Sequence, residues 1–282
     1  MIISIKQPLS YSRIGRRDNQ EDCIYPPEGQ ATARNRFFIV CDGMGGHDHG
    51  EVASGIVCET LGKFFKSHSL EGGVLTEELF KQGLSDAYDA LDAQDDGSFK
   101  KMGTTLTFIY LHKGGCFAAH IGDSRIYQIR PGKGLAYQSA DHSLVNDLLK
   151  IGEISPEEAI NHPQKHVITR AMQPRLEQRY KADIHQLTDI RPGDYFFLCS
   201  DGVLEQLTNE TLVAVLSDRT LSAEQKIKAL EEVSSNKTKD NFTAYLIPVD
   251  QVEYEENDHE DHNEIVAAVA DEPIQRLINR EL

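Results

Sequence analysis

A chain of 282 residues, 39% hydrophobic and 26% charged, is long enough for one large domain with a buried core or for two small ones. It contains no apolar run of about 18 residues, and MIISIKQPLSYS is too short in apolar stretch for a secretory leader, so neither a membrane span nor secretion is expected and a cytoplasmic location is the default. A formal net charge of −16 argues against nucleic-acid binding, and five cysteines without close pairs read as free thiols filling core space.

In chain order, apolar and β-branched runs predict strands near Ile2–Gln7, Tyr11–Ile14 and Phe37–Cys41. Two amphipathic helices follow, one from about Gly50 to Lys66 and one from a Thr76 cap to about Ala93. Further strands are expected near Thr104–Leu111, Cys116–Ile121, Arg125–Ile129, Tyr180–Gln186, Tyr195–Cys199 and Asn241–Val249. The segment 141–175 is broken by Gly152, Pro156, Pro163 and Pro174 into short helical pieces, as in a surface insertion covering a site. Ser222-Ala-Glu-Gln225 has capping-box spacing and opens a helix to about Val233. Strands in runs and helices in pairs point to an α+β layered sandwich. Residues 251–282 carry ten acids against two arginines and read as a solvated acidic tail, with Ile265–Leu282 spaced for a short docking helix.

Acids recur where apolar runs stop: Asp42 in FFIVCDGMGGH, Asp123 in AAHIGDSRIY, Asp201 in FFLCSDGVLE and Asp240 in KTKDNFTAY. Glu21 and Asp22 in GRRDNQEDC lie near the end of the second predicted strand. A single Asp-Gly is an ordinary turn. Several acids at strand ends repel one another unless a cation neutralises them. Oxygen donors without a Cys or His pattern favour Mg²⁺ or Mn²⁺ over Zn²⁺. Gly43 permits a backbone carbonyl to approach an ion, and equally suits a plain strand-to-helix turn.

The set GRRDNQED, VCDGMGGHDHGEVAS, MGTTL, HIGDSRIY, HPQKHVITRAMQ, LCSDGVLEQL and KDNFTAYLI, in this order over about residues 10–249, resembles the PPM (type 2C) family of metal-dependent serine/threonine protein phosphatases, its bacterial branch most closely. The resemblance implies a four-layer αββα sandwich in one domain over residues 1–250, with 141–175 as a flap beside the site and 251–282 as the acidic tail. It implies two Mn²⁺ or Mg²⁺ ions, with a third, weaker one. Asp42 would bridge two ions with the Gly43 carbonyl on one, and Asp201 and Asp240 would hold the other. Glu21 would act largely through water, Asp22 would orient water on a metal, and Asp123 with Asp201 would hold the third ion. Arg17 would grip the substrate phosphate. Hydrolysis would be direct, by water and without a phosphoenzyme. The implied substrates are phosphorylated proteins, and the implied partner is a bacterial Ser/Thr kinase pathway that the enzyme opposes; a monomer is expected.

Met44 stands where the eukaryotic branch has a histidine, so the proton donor to the leaving oxygen stays open between water on a metal and His47, His49 or His142. His162, Lys165, His166, Arg170, Arg175 and Arg179 form a locally basic run that either attracts phosphorylated segments or balances acidic surroundings. A catalytically dead binding relative is disfavoured because all six acids are present. A small-phosphoester hydrolase would share the same metal site and stays open.

Overall fold

The computed structural model describes residues 1–45, 49–95, 102–160 and 162–254; Gly46, His47 and the tail from 255 onward lie outside the described residues. Two antiparallel sheets make up the centre. The first contains β1 (Ile2–Ile5), β2 (Leu9–Arg13), β8 (Arg125–Arg130), β9 (Gly134–Gln138), β11 (Tyr195–Cys199) and β12 (Phe242–Glu253). Its order is β1-β12-β11-β8-β9, with β2 also on β12. The second contains β3 (Asp22–Tyr25), β4 (Phe37–Met44), β5 (Gly103–Thr104), β6 (Leu106–His112), β7 (Gly115–Ile121) and β10 (Asp183–Leu187). Its order is β10-β7-β6-β4-β3, with β5 also on β4.

Alternation along the strands sorts the core into three layers. On β4, Phe38 and Val40 face the other sheet and join Ile109, Ala118, Ile126, Phe196, Leu198 and Tyr245. Phe37, Ile39 and Cys41 face outward, against α1 (His49–Ser67) and α2 (Glu77–Gln94). The first sheet turns its outer face to α5 (Asp201–Leu204), α6 (Asn209–Ser217) and α7 (Ala223–Lys237), where Phe197, Leu212, Leu216 and Leu230 are fully buried. This is the expected αββα sandwich. Covered on both faces, β6 and β7 are buried at every position and show no polar alternation.

Caps place the helices. The Thr76 side chain accepts the Leu79 N–H, and Ser222 with Gln225 makes the reciprocal capping box. Between β9 and β10 run α3 (Leu144–Lys150) and α4 (Pro156–Ile160), tied down by bridges Ser143↔Ile168 and Thr104↔Met172.

Several expectations change. Asp22 opens a strand of its own, β3, instead of following the second strand; DCIY is too short to stand out. β9 and α6 are additional elements. The run Thr104–Leu111 divides at Thr105, and β10 begins three residues after Tyr180. β12 continues to Glu253 by pairing with β1 (Ile2↔Glu253), so the folded domain extends past 250.

Candidate metal centre and substrate groove

The acids meet at one end of the sandwich. Asp42 and Asp22 are register partners at the ends of β4 and β3. Asp201 follows β11, Asp240 precedes β12, and Asp123 precedes β8. Among the bonds that join the two sheets at this end, the Ser200 hydroxyl donates to Asp22 Oδ2 at 2.8 Å. The same hydroxyl accepts the Thr243 N–H at 3.0 Å.

Main-chain bonds position the carboxylates. The Asp42 N–H donates to Thr105 Oγ1 at 3.0 Å. Its carbonyl accepts from the Thr105 N–H at 2.9 Å and from Thr104 Oγ1 at 3.0 Å. Asn241 fastens the loop that carries Arg17 and Glu21: its Oδ1 accepts the Glu21 N–H at 2.8 Å, and its amide donates to the carbonyls of Ile14 and Asn19. Gly43 is required by crowding. A Cβ there would lie 2.2 Å from the Gly50 carbonyl oxygen and 2.5 Å from that of Glu21. The glycine after Asp42 therefore packs three segments together, whatever use its carbonyl has.

Electrostatics set this end apart. Burial pushes the Asp22 carboxyl up to about 7, although hydroxyls of Thr243 and Ser200 pull it down; Asp201 and Asp240 push it further up. Burial, then Asp201 and Asp141, push Asp123 up to about 8. Asp42 is raised well above the carboxylate range by burial and by Asp22, Asp201, Asp123 and Asp240. Burial and Asp240 raise Asp201, which shares a hydrogen bond with Asp42. Asp22 Oδ1 and Asp123 Oδ1 are buried with no hydrogen-bond donor. Converging carboxylates with orphaned oxygens are a donor set suited to hard divalent cations. Arg17 lies at the rim, half exposed, with Nη2 2.6 Å from Asp240 Oδ2.

A groove of about 550 Å³ opens from the acids. Asp123 and Asp201 form part of its floor, and Val145, Leu149, Lys165 and His166 of the 141–175 segment line it opposite Leu204, Glu205 and Lys239. The basic run divides. Arg170 pairs with Asp183, Arg175 with Asp95, and Arg179 with Asp89 and Asp92. These arginines balance neighbouring acids, while Lys165 and His166 reach the groove.

His142 is unsuited to proton donation at this site. It is 2% exposed, its Nδ1 accepts the Gly122 N–H at 3.1 Å, and its Nε2 lies 3.2 Å from Asp183. His142, His120 and Asp183 have ligand atoms within 4.8 Å of one another, a spacing that no three of the strand-end acids reach among the described residues. The hydrogen bonds nevertheless assign the Nε2 proton of His142 to Asp183 and that of His120 to the Ala140 carbonyl. His142 and Asp183 are thus tied to each other, while His120 stacks on the His142 ring and keeps a buried Nδ1 without a partner. Ser200, Thr243, Thr105 and Asn241, which orient the acids, were absent from the sequence-based site; Ser200 and Asn241 are chain neighbours of Asp201 and Asp240, the one local signal available.

A family profile described as Protein phosphatase 2C matches residues 11–236. This chain belongs to the protein phosphatase 2C family. The protein phosphatase PhpP of Streptococcus pneumoniae is 32% identical over 243 residues, covering 85% of this chain and 96% of that one. The crystal structure of the Mycobacterium tuberculosis serine/threonine phosphatase PstP/Ppp superposes with a TM-score of 0.75 at 29% identity, over 89% of this chain and all of that one. The PstP catalytic domain in complex with two manganese ions gives 0.71 at 29% identity, with 89% and 100% covered. As a bacterial-type member of the family, the protein is a hydrolase acting on phosphoserine and phosphothreonine in proteins. Among the described residues no helix is long and apolar enough to cross a membrane.

Proposed function

We propose that Asp42, the Gly43 carbonyl, Asp201 and Asp240, with Glu21 and Asp22 beside them, hold two Mn²⁺ or Mg²⁺ ions, and that Asp123 with Asp201 holds a third, weaker one. The observation that carries this reading is the pair of buried, donorless oxygens on Asp22 and Asp123, among acids whose protonation is favoured by burial first and then by one another. The two manganese ions of the related PstP catalytic domain support it. When bound, such ions supply Lewis-acid activation of water and neutralise charge developing on phosphoryl oxygens.

The chain's own groups do the rest. Ser200 and Thr243 orient Asp22, and Thr104 and Thr105 hold the Asp42 backbone so that its carboxylate is free to face the cleft. Arg17 turns from Asp240 to the substrate phosphate, for which its planar fork is suited. The groove beside Lys165, His166 and Lys239 receives the peptide flanking the phosphoresidue. The biological setting we infer is a monomer in the cytoplasm opposing a Ser/Thr kinase, with residues 1–254 as the phosphatase domain and the acidic remainder dispensable for chemistry.

The test is hydrolysis of a phosphothreonine peptide by metal-free protein titrated with Mn²⁺ or Mg²⁺, set against a sugar phosphate and a nucleotide. Turnover of the peptide that needs the cation and vanishes with EDTA is expected. Preference for the small phosphoesters would replace the protein substrate in this reading. Removal of residues 255–282 should leave turnover of a small aryl phosphate unchanged; an inactive truncation would place the tail within the working domain.

A further inference from the structure

Three of the five cysteines converge behind the acids. Cys23 and Cys41 are register partners on β3 and β4, each the immediate neighbour of an acid: Asp22 and Asp42, which are register partners in turn. Strand alternation sends the acids toward the cleft and the thiols to the opposite face, under α1. The Cys58 thiol of α1 lies within hydrogen-bonding reach of both.

Contacts one helical turn on either side hold Cys58 over β3. Ser54 Oγ donates to the Glu21 carbonyl at 2.5 Å. At Gly62 the helix touches the Tyr25 ring so closely that an added Cβ would lie 2.5 Å from it. Positions 54, 58 and 62 of the helix thus match 21, 23 and 25 of the strand, and Cys58 faces Cys23 at the middle of the series. Cys58 is 2% exposed, whereas Cys23 is half-buried on β3, an edge strand. Cys116 and Cys199 are fully buried in other layers.

We propose that Cys23 and Cys58 form a hydroperoxide-oxidised dithiol whose closure to a disulfide moves β3 against β4 and switches off the acid centre. This regulatory role rests on the phosphatase reading above. The sulfur of Cys23 attacks one oxygen of hydrogen peroxide; the O–O bond breaks and the departing hydroxide takes the thiol proton as water. Cys23 is left as a sulfenic acid. The sulfur of Cys58 then attacks that of Cys23; the S–O bond breaks, and the leaving hydroxide takes the Cys58 proton as a second water. Two thiols lose two electrons in all and one peroxide is reduced. Pulling the two sulfurs to about 2.05 Å draws the strand toward the helix, within one residue of Asp22 and two of Glu21.

The full-length reduced protein, treated with hydrogen peroxide, provides the test. Alkylation and mass spectrometry should count two fewer free thiols than the five of the reduced chain, and peptide mapping should find Cys23 joined to Cys58. Phosphopeptide turnover should fall at least tenfold and return with dithiothreitol. Cys23→Ser should abolish both crosslink and reversible inactivation, as should Cys58→Ala, while Cys116→Ser should behave as wild type. Five thiols remaining after treatment, a different pair joined, irreversible sulfinic acid without a crosslink, or a crosslinked protein of undiminished turnover would each overturn the proposal. Peptide mapping reads the dithiol whether or not the reduced protein is active, so an inactive reduced protein would count against the phosphatase assignment alone.

Discussion

Asp194 and Asp22 are both buried, at opposite ends of the sandwich, and their surroundings differ in kind. Asp194, 1% exposed just before β11, accepts from Arg130 Nε and Nη2 at 2.9 Å, from Gln128 Nε2 at 3.0 Å and from the Arg191 N–H at 3.0 Å. Arg130 is held in turn by Asp189. Asp22 and Asp123, 7% and 8% exposed, each keep an oxygen without a donor and face further carboxylates. A buried carboxylate that serves the fold collects cations and N–H groups from the chain. One left uncompensated takes up a proton or a cation from outside. The same two sheets therefore carry a compensated end and an uncompensated end, distinguished by the partners of their acids and not by burial.

Replacing an acid at each end should separate the two roles. Asp194→Asn breaks a buried pair, a change that costs about 3–5 kcal/mol. Its melting temperature should drop by roughly 10 °C, at 2–4 °C per kcal/mol for a domain of this size. Turnover measured well below that temperature should persist. If calorimetry shows no loss of stability, the contrast between the ends is misplaced.

Asp42→Asn should do the reverse. Turnover should fall at least ~10²-fold, because the variant disturbs stabilisation of transition-state charge. The metal-free variant should melt no lower than wild type, since a repelling charge is gone. Full activity in Asp42→Asn would remove it from the metal centre.

Arg17→Ala should have a smaller effect, about a tenfold rise in KM for phosphopeptide. Manganese affinity read by calorimetry should hold, as Arg17 sits at the rim. A shift in metal affinity alone would make Arg17 a partner of Asp240 only.

A separate effect concerns pH in the metal-free protein. Asp22 and Asp123 titrate near 7 and 8 when folded, above their unfolded values near 3.9. The folded state therefore binds more protons over this range, and stability falls as pH rises from about 4 to about 8. Saturating Mn²⁺ should flatten the decline and release protons on binding at pH 6. Thermal melts across pH, with and without the ion, check the sign; stability rising over the same range would mean that these acids are compensated after all.

Much of the uncompensated end is legible in the sequence because its signals are local. Asp42, Asp123, Asp201 and Asp240 each adjoin an apolar run, and an apolar run is a strand by period and length alone. The caps at Thr76 and Ser222 were equally readable, being contacts between residues three apart. The strand that Asp22 opens is not legible, because DCIY has only four residues and follows a polar loop. Likewise α6, with Val213 and Val215 in NETLVAVLS, lacks a clear helical pattern until its Thr208 cap is seen to hold Thr211. Nothing local marks the division at Thr105, since Thr104 and Leu106 on either side both suit a strand; its use, gripping the Asp42 backbone, is a contact across 63 positions.

Composition and periodicity by themselves determined the layered class, the helix caps and the array of acids at strand ends, since each depends on residues a few places apart. Tertiary structure alone decided which acids are compensated, that Arg170, Arg175 and Arg179 are spent on nearby aspartates, and that three scattered cysteines share one spot behind the cleft. Charge compensation and thiol contact depend on distance in space, and here the partners come from strands and helices far apart along the chain.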